Sequence, residues 1–334
     1  MAKFIRFLPL LLVLCIHFLP SALAEFNVVA FGAKTDGKTD STTAFLGAWA
    51  AACNSTSPAT MHVPSGKFLV GVASFTGPCK NKAIKIWIEG TILAPSNYDS
   101  LGKSGKWLSF DHIDGLSIMG GTLDGQGAAL WSCKGSKGNC PSGPASLTVS
   151  HSTNVKIIKV TSINSKLFHI ALYGCTSVTV DGAKITAPGN SPNTDGIHVQ
   201  GSSGVTITGA TIKTGDDCIS IGPGCSNLWI EKVSCGPGHG VSIGSLANSL
   251  NEAGVQNVTV KSNSGIKISQ VTYNNVQGTS ATQVAVNFNC SPSNPCSQIK
   301  LQDIKLLYQN KPALSSCKYV GGTSSGILIP ASCV

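Results

Sequence analysis

From Leu147 onward the chain carries short runs in which apolar and polar residues alternate. Val155-Lys156-Ile157, Val178-Thr179-Val180, Val205-Thr206-Ile207 and Leu228-Trp229-Ile230 recur at near-constant intervals. Period-two alternation marks a strand with one face buried. Second strands lie between them: Ile170-Ala171-Leu172, Ile197-His198-Val199, Ile219-Ser220-Ile221 and Val241-Ser242-Ile243. A unit this short cannot bury its apolar face without a neighbour, so a repeat of roughly 20–50 residues predicts stacked coils. No helical pattern interrupts them. The expected fold is therefore all-β, a parallel β-helix built as a single-stranded solenoid. A β-sandwich would not hold its strand spacing to a constant coil length.

Two stretches depart from the repeat. Near the start, Ala44, Phe45, Ala48, Trp49 and Ala52 recur at helical spacing, with Asp40 or Ser41 as the cap. That helix follows Phe26-Asn27-Val28-Val29, which reads as a strand. Later, after Val258-Thr259-Val260, the next similar strand (Ile266-Lys267-Ile268) begins almost at once. The one after that, Ile299-Lys300-Leu301, lies more than a full repeat further on. No β-helix coil closes in the short step from Val258 to Ile266. Either these are two strands of one shortened coil, or the chain lacks material here.

Composition agrees with short strands and tight turns, since only 12% of residues are charged and 37 are glycine. Lys3 and Arg6, the apolar stretch Leu8–Leu19 and Ala22-Leu23-Ala24 have the order of a secretory signal. The expected division is thus a signal peptide over 1–24 and one catalytic-size domain over 25–334. Of 13 cysteines only Cys15 falls in the signal, leaving an even 12 suited to disulfides in an oxidising compartment. Cys133…Cys140 and Cys290…Cys296 have the spacing of local loop staples. A zinc site is set aside, because no C-x-x-C or H-x-x-x-H pairing exists to organise one. Asn54, Asn257 and Asn289 open N-glycosylation sequons. Without Lys3 and Arg6 the net charge falls from +9 to +7 (22 basic against 15 acidic residues), a balance that suits an acidic partner as well as plain solubility. Arg6 is the only arginine in the chain.

Against that background, four ionisable residues at three successive repeats share a register. Asp195 and Asp216 stand about one repeat apart, and so do Asp217 and His239. If one coil is one repeat, these side chains stack on one face, about 4.8 Å apart per coil. Clustering carboxylates raises their pKa values and is unfavourable unless chemistry uses it. Glycoside hydrolysis does, because it needs one carboxyl protonated and another ionised. A calcium site would use the same acids. His239 between two glycines argues against it, since calcium prefers oxygen ligands.

Ser191-Pro-Asn-Thr-Asp195-Gly-Ile-His198, Gly215-Asp-Asp-Cys218 and Cys235-Gly-Pro-Gly-His239-Gly-Val-Ser-Ile-Gly-Ser245 resemble three signature motifs of the family 28 polygalacturonases. Phe26–Cys53 and Gly121-Thr-Leu-Asp-Gly-Gln-Gly127 are similar to the plant members. The resemblance implies a right-handed β-helix and inverting hydrolysis of α-1,4-galacturonosyl bonds in pectin. It implies Asp216 as general acid, Asp195 and Asp217 as the pair that activates water, and His239 as the residue tuning the acid. It also implies Asn193 as a polar contact in the cleft and a Cys218–Cys235 disulfide. The partner it implies is pectin in an extracellular or cell-wall setting, with no cofactor, metal, nucleic acid or membrane, and a monomeric protein.

One family motif has no match. An Arg-Ile-Lys triplet that binds substrate carboxylates is expected after the histidine motif, together with a cleft tyrosine. Gly265-Ile266-Lys267-Ile268 resembles the triplet only faintly, with Lys267 where the arginine belongs. The region 261–265 therefore reads as a junction where about two coils are missing. Lysine supplies charge but not the bidentate fork of arginine. The alternative to an active hydrolase is a catalytically weak pectin-binding homologue or an internally truncated product. A lyase or methylesterase of the same fold would resemble families that use an active-site arginine.

Overall fold

A computed structural model describes residues 24–334 apart from 102–104, 137–138, 247–248, 250, 262–267, 281, 291 and 293–294. The expected signal, up to residue 23, and Lys267 lie outside the described residues. No helix among the described residues is long and apolar enough to cross a membrane.

The alternating runs form parallel strands that stack coil on coil, giving one sheet of 15 strands and a second of seven. In the long sheet Val155, Val178, Val205, Leu228 and Val258 stand in one column. In the seven-stranded sheet Leu147, Ile170, Ile197, Ile219 and Val241 do the same. All but Val258, which is half-buried, are buried and belong to one continuous core. The columns explain the fold: each β-branched or leucine side chain meets its equivalent from the coil below, so the repeat in sequence becomes a stack of like residues. The solenoid also extends upstream of the visible repeat. Ala24–Asn27 pairs with Ala59–Val63, which pairs with Ile84–Leu93, and that strand with Leu116–Asp124.

The amphipathic helix spans Thr42–Asn54 and buries Ala44, Phe45, Ala48, Trp49 and Ala52 against the first coils. Trp49 packs on Phe75 and Phe110, closing the end of the core. Asp40 provides the capping contact, accepting the Thr42 amide at 2.9 Å. Ser41 instead accepts the Lys34 amide. The expected strand Phe26–Val29 is cut short: a strand covers Ala24–Asn27, and Val28–Phe31 turn as a 3₁₀ helix started by the Asn27 side chain.

Ten cysteines form five disulfides, 53–79, 133–140, 218–235, 290–296 and 317–333. The two local staples are among them. Cys175 and Cys225 remain buried free thiols, which corrects the expectation drawn from an even count. Register explains it. Thr176 pairs with Ser203 and Ser203 with Ser226, so Ser202 stands between the two cysteines. Two rungs at about 4.8 Å exceed the roughly 4.4–6.8 Å that a disulfide spans between Cα atoms.

Among the described residues, all three runs of stacked strands end together. Ser234–Cys235, Val241–Ile243 and Gln256–Lys261 are the last strands of their sheets. Further along the chain, Thr272–Thr279, Cys296–Tyr308 and Val320–Ile329 pair in parallel in a separate sheet, with Lys311–Pro312 antiparallel at Leu307–Tyr308. Val284–Asn289 and Leu314–Lys318 build another. These have their own small core around Ile299, Leu301 and Ile304, joined to the main core through Ile268.

Candidate active site

The seven-stranded sheet positions the acidic ladder. Ile197 pairs with Ile219 and Ile219 with Val241. Two positions before these, Asp195, Asp217 and His239 occupy one column, one per coil. Asp216 sits beside this column, in register with Thr194 and Gly238. The interval from Asp217 to His239 is thus the true rung spacing, and the slightly shorter step from Asp195 to Asp216 is a diagonal. Backbone bonds fix the rungs: the Gly196 amide donates to the Asp217 carbonyl and the His239 amide to the Asp216 carbonyl.

Glycines let the loops approach. A Cβ on Gly215 would lie 2.1 Å from the Ser191 carbonyl oxygen, and one on Gly238 would lie 2.6 Å from the Cys218 sulfur. Both are impossible distances for a side chain, so the loops that carry Asp216 and His239 tolerate only glycine there. The Cys218–Cys235 disulfide ties the same two loops together.

The polar contacts are specific. Asp216 accepts the Asp217 amide at 2.9 Å and the Asn193 amide at 3.1 Å. Asn193 therefore reaches the site through its backbone, and its own side chain stays exposed at the rim. His239 Nδ1 lies 3.4 Å from Asp216 Oδ1 and 3.9 Å from Asp217 Oδ1. Asp195 is 6% exposed, and burial pushes its carboxyl up to about 7. A hydrogen bond from Ser220 opposes that rise, and the charges of Asp216 and Asp217 add to it. Burial also raises Asp217, opposed by Ser242 and His239 and assisted by Asp216. Like charges held in a low dielectric favour keeping a proton in the cluster. Asp216, Asp217 and His239 bring ligand atoms within 4.8 Å of one another and could also receive a cation.

A second row of side chains went unread in the sequence. At the second position of each strand, His198, Ser220 and Ser242 stand side by side. Ser220 Oγ donates to Asp195 Oδ2 at 2.6 Å, which uses its only proton. His198 Nδ1, 2.8 Å from Ser220 Oγ, must then be the donor to that hydroxyl. Phe168 stacks on the His198 ring with centroids 4.5 Å apart. The signal that could have found the row is its constant offset from Asp195, Asp217 and His239, but alternating serines in a strand look like any solvent-facing position.

A cleft of about 450 Å³ opens beside the ladder, lined by Asp217, His239, Ser242, Ser269 and Gln270. Ser269 and Gln270 of the C-terminal segment contribute to its wall.

The family model described as "Glycosyl hydrolases family 28" matches residues 53–264 and again 259–333. The chain belongs to glycosyl hydrolases family 28. Within that family it is 47% identical to a "Polygalacturonase" of Prunus persica, over 94% of this chain and 95% of that one. It is 39% identical to an "Exopolygalacturonase" of Platanus acerifolia, over 93% and 98%. The peach alignment runs over 374 positions, whereas 94% of 334 residues is about 314, so about 60 positions face no residue of this family 28 chain. Among solved structures, the endo-xylogalacturonan hydrolase from Aspergillus tubingensis superposes with a TM-score of 0.62 at 20% identity, over 91% of this chain and 100% of that one. The exopolygalacturonase from Thermotoga maritima gives 0.61 at 18%, over 84% and 86%. Both share the fold, a right-handed parallel β-helix.

Proposed function

We propose that this family 28 glycoside hydrolase is a secreted polygalacturonase that cleaves α-1,4-galacturonosyl bonds of pectin with inversion. The observation that carries this reading is the column of Asp195, Asp217 and His239 with Asp216 beside it. Asp216 faces His239, which lines the cleft, and acts as the acid that protonates the departing glycosidic oxygen. Asp195 and Asp217, one rung apart, hold and deprotonate the attacking water. His239 is the basic side chain that meets Asp216, and it governs where the proton sits. The names of the relatives point to the same substrate, and a net positive chain suits a polyanion. The test is incubation of purified protein with polygalacturonate, followed by proton NMR of the new reducing ends. The β-anomer should appear first. Initial α-anomer, or an unsaturated product, would overturn inversion or hydrolysis.

The row behind the acids has a defined task in this reading. Asp195 serves as base only when ionised, and the chain from His198 through Ser220 donates to that ionised form. Its folded-state carboxyl is raised, so base activity is lost as pH falls through about 7. Removing the Ser220 donor raises it further and moves the acid limb of the kcat/KM profile to higher pH. A hydrogen bond to a charged group contributes about 1.5–3 kcal/mol, and one pKa unit is about 1.4 kcal/mol, so Ser220→Ala should shift the limb by about one to two units. Ser220→Thr, which keeps the hydroxyl, should restore it. An unmoved limb in Ser220→Ala would remove this role.

We further propose that about two coils are absent at the junction near residues 261–265. Three facts support it: all strand columns stop together, the family model restarts at 259, and about 60 aligned positions are unmatched. At the coil lengths seen here, from Ile170 to Ile197 and from Ile197 to Ile219, about 60 positions make two to three coils. The absent stretch is where the family's Arg-Ile-Lys triplet belongs. A second reading, a weak hydrolase that mainly binds pectin, is favoured by one observation: residues 25–334 contain no arginine.

A further inference from the structure

A second group of ionisable side chains lies at the opposite end of the same sheet's strands, away from the acidic ladder. Asp111 ends the strand Lys106–Asp111 and pairs with Ser150. His112 and His151 therefore fall on successive coils at one corner, although they are far apart in sequence. Asp111 Oδ2 lies 2.8 Å from His112 Nδ1, and Asp111 Oδ1 lies 2.9 Å from His151 Nδ1. The two rings are stacked with centroids 4.9 Å apart. Both imidazoles are about 60% exposed, so the group is open to solvent.

The corner itself makes histidine an unusual choice. Register carries His112 and His151 onto Gly174 and Gly201 in the next two coils. The four residues share one left-handed backbone, with φ of 56°, 45°, 61° and 59°. Glycine adopts that conformation freely, whereas other L-residues do so at a penalty of about 1 kcal/mol or more. The corner thus bears histidine on two adjacent coils where the next two use glycine. Gly174 also leaves the space beside His151 clear, since a Cβ there would come within 3.1 Å of the ring.

We propose that Asp111, His112 and His151 form a binding site for a late first-row divalent cation of the Cu²⁺ or Zn²⁺ type. The three residues place one carboxylate and two imidazole ligand atoms within 4.8 Å of one another. Imidazole with carboxylate suits these ions, whereas calcium and magnesium take oxygen-only sets. The ion takes the place of the hydrogen bonds now made between each Nδ1 and Asp111, and each neutral imidazole then carries its proton on Nε2. It links two successive coils, and its remaining positions face solvent. Sequence inspection for paired ligands misses such a site, because coil stacking alone brings the histidines together.

The probe is Cu²⁺ alone, titrated into the full-length folded protein and read by EPR and calorimetry. The expected result is one equivalent whose hyperfine structure shows two imidazole nitrogens, with a rise in Tm. Asn tolerates the left-handed backbone, so His112→Asn/His151→Asn should keep the fold while abolishing that equivalent and its Tm rise. Each single substitution should weaken binding at least tenfold. His239→Asn should leave this equivalent unchanged, which separates it from the other group able to bind a cation. A two-nitrogen signal that survives the double substitution, a signal lost with His239→Asn, or binding only at millimolar Cu²⁺ would each overturn the site.

Discussion

Asp216→Asn is expected to lower the release of reducing ends from polygalacturonate by about 10²–10⁴-fold, the loss that follows removal of a positioned general acid or base. The substitution is nearly isosteric. The Asp217 amide, 2.9 Å from Oδ1, can keep a carbonyl acceptor, whereas the Asn193 amide, 3.1 Å from Oδ2, then faces the new NH2 and loses its acceptor; the Cys218–Cys235 disulfide still holds the loop. What disappears is the proton for the leaving oxygen and one of the two carboxylates facing His239. The loss should therefore fall on kcat, with KM changed little, because proton transfer to the leaving group exists only on the way to the transition state. The Tm should change little, since the lost acceptor of the Asn193 amide is offset by neutralising one of three crowded carboxylates. A variant as active as the parent would mean that turnover does not pass through this ladder. Equal, near-zero activity in both would point to the pectin-binding reading instead.

The ladder was legible in sequence because a β-helix converts spacing into proximity: the interval from Asp217 to His239 becomes one rung. The same logic made the aliphatic columns readable, and the helix over Thr42–Asn54 announced itself by its buried face. Other features depend on lateral detail that periodicity does not encode. Ser220 and His198 look like outward polar positions in short strands, and only their distances to Asp195 and to each other reveal a donor chain. Asp111 and His151 gain meaning only when consecutive coils are aligned. Cys175 and Cys225 counted toward an even total, yet the rung occupied by Ser202 keeps them apart. The upstream coils were hidden because their intervals are irregular, interrupted by the helix and by the 53–79 disulfide.

Restoring the stretch proposed to be absent should produce the other large effect. The change is insertion, between Lys261 and Ile268, of the peach relative's residues that face no residue here. Two consequences should follow from different physics. New strands would pair with the exposed edges of Ser234–Cys235, Val241–Ile243 and Gln256–Lys261, and would join the two cores that Ile268 bridges. Stability in a solenoid is largely a sum over neighbouring repeats, so Tm should rise by several degrees. The insertion would also bring the family's arginine and lysine to the cleft wall formed now by Ser269 and Gln270. Charge-assisted bonds of about 1.5–3 kcal/mol each to substrate carboxylates correspond to a gain of about 10²–10⁴-fold in kcat/KM for the pair. A control insertion with its arginine replaced by alanine separates the two effects: it should keep the gain in Tm and lose much of the gain in kcat/KM. If the full insertion improved neither quantity, the three strand columns would be ending where this chain's own fold requires, and the case for missing coils would fall with it.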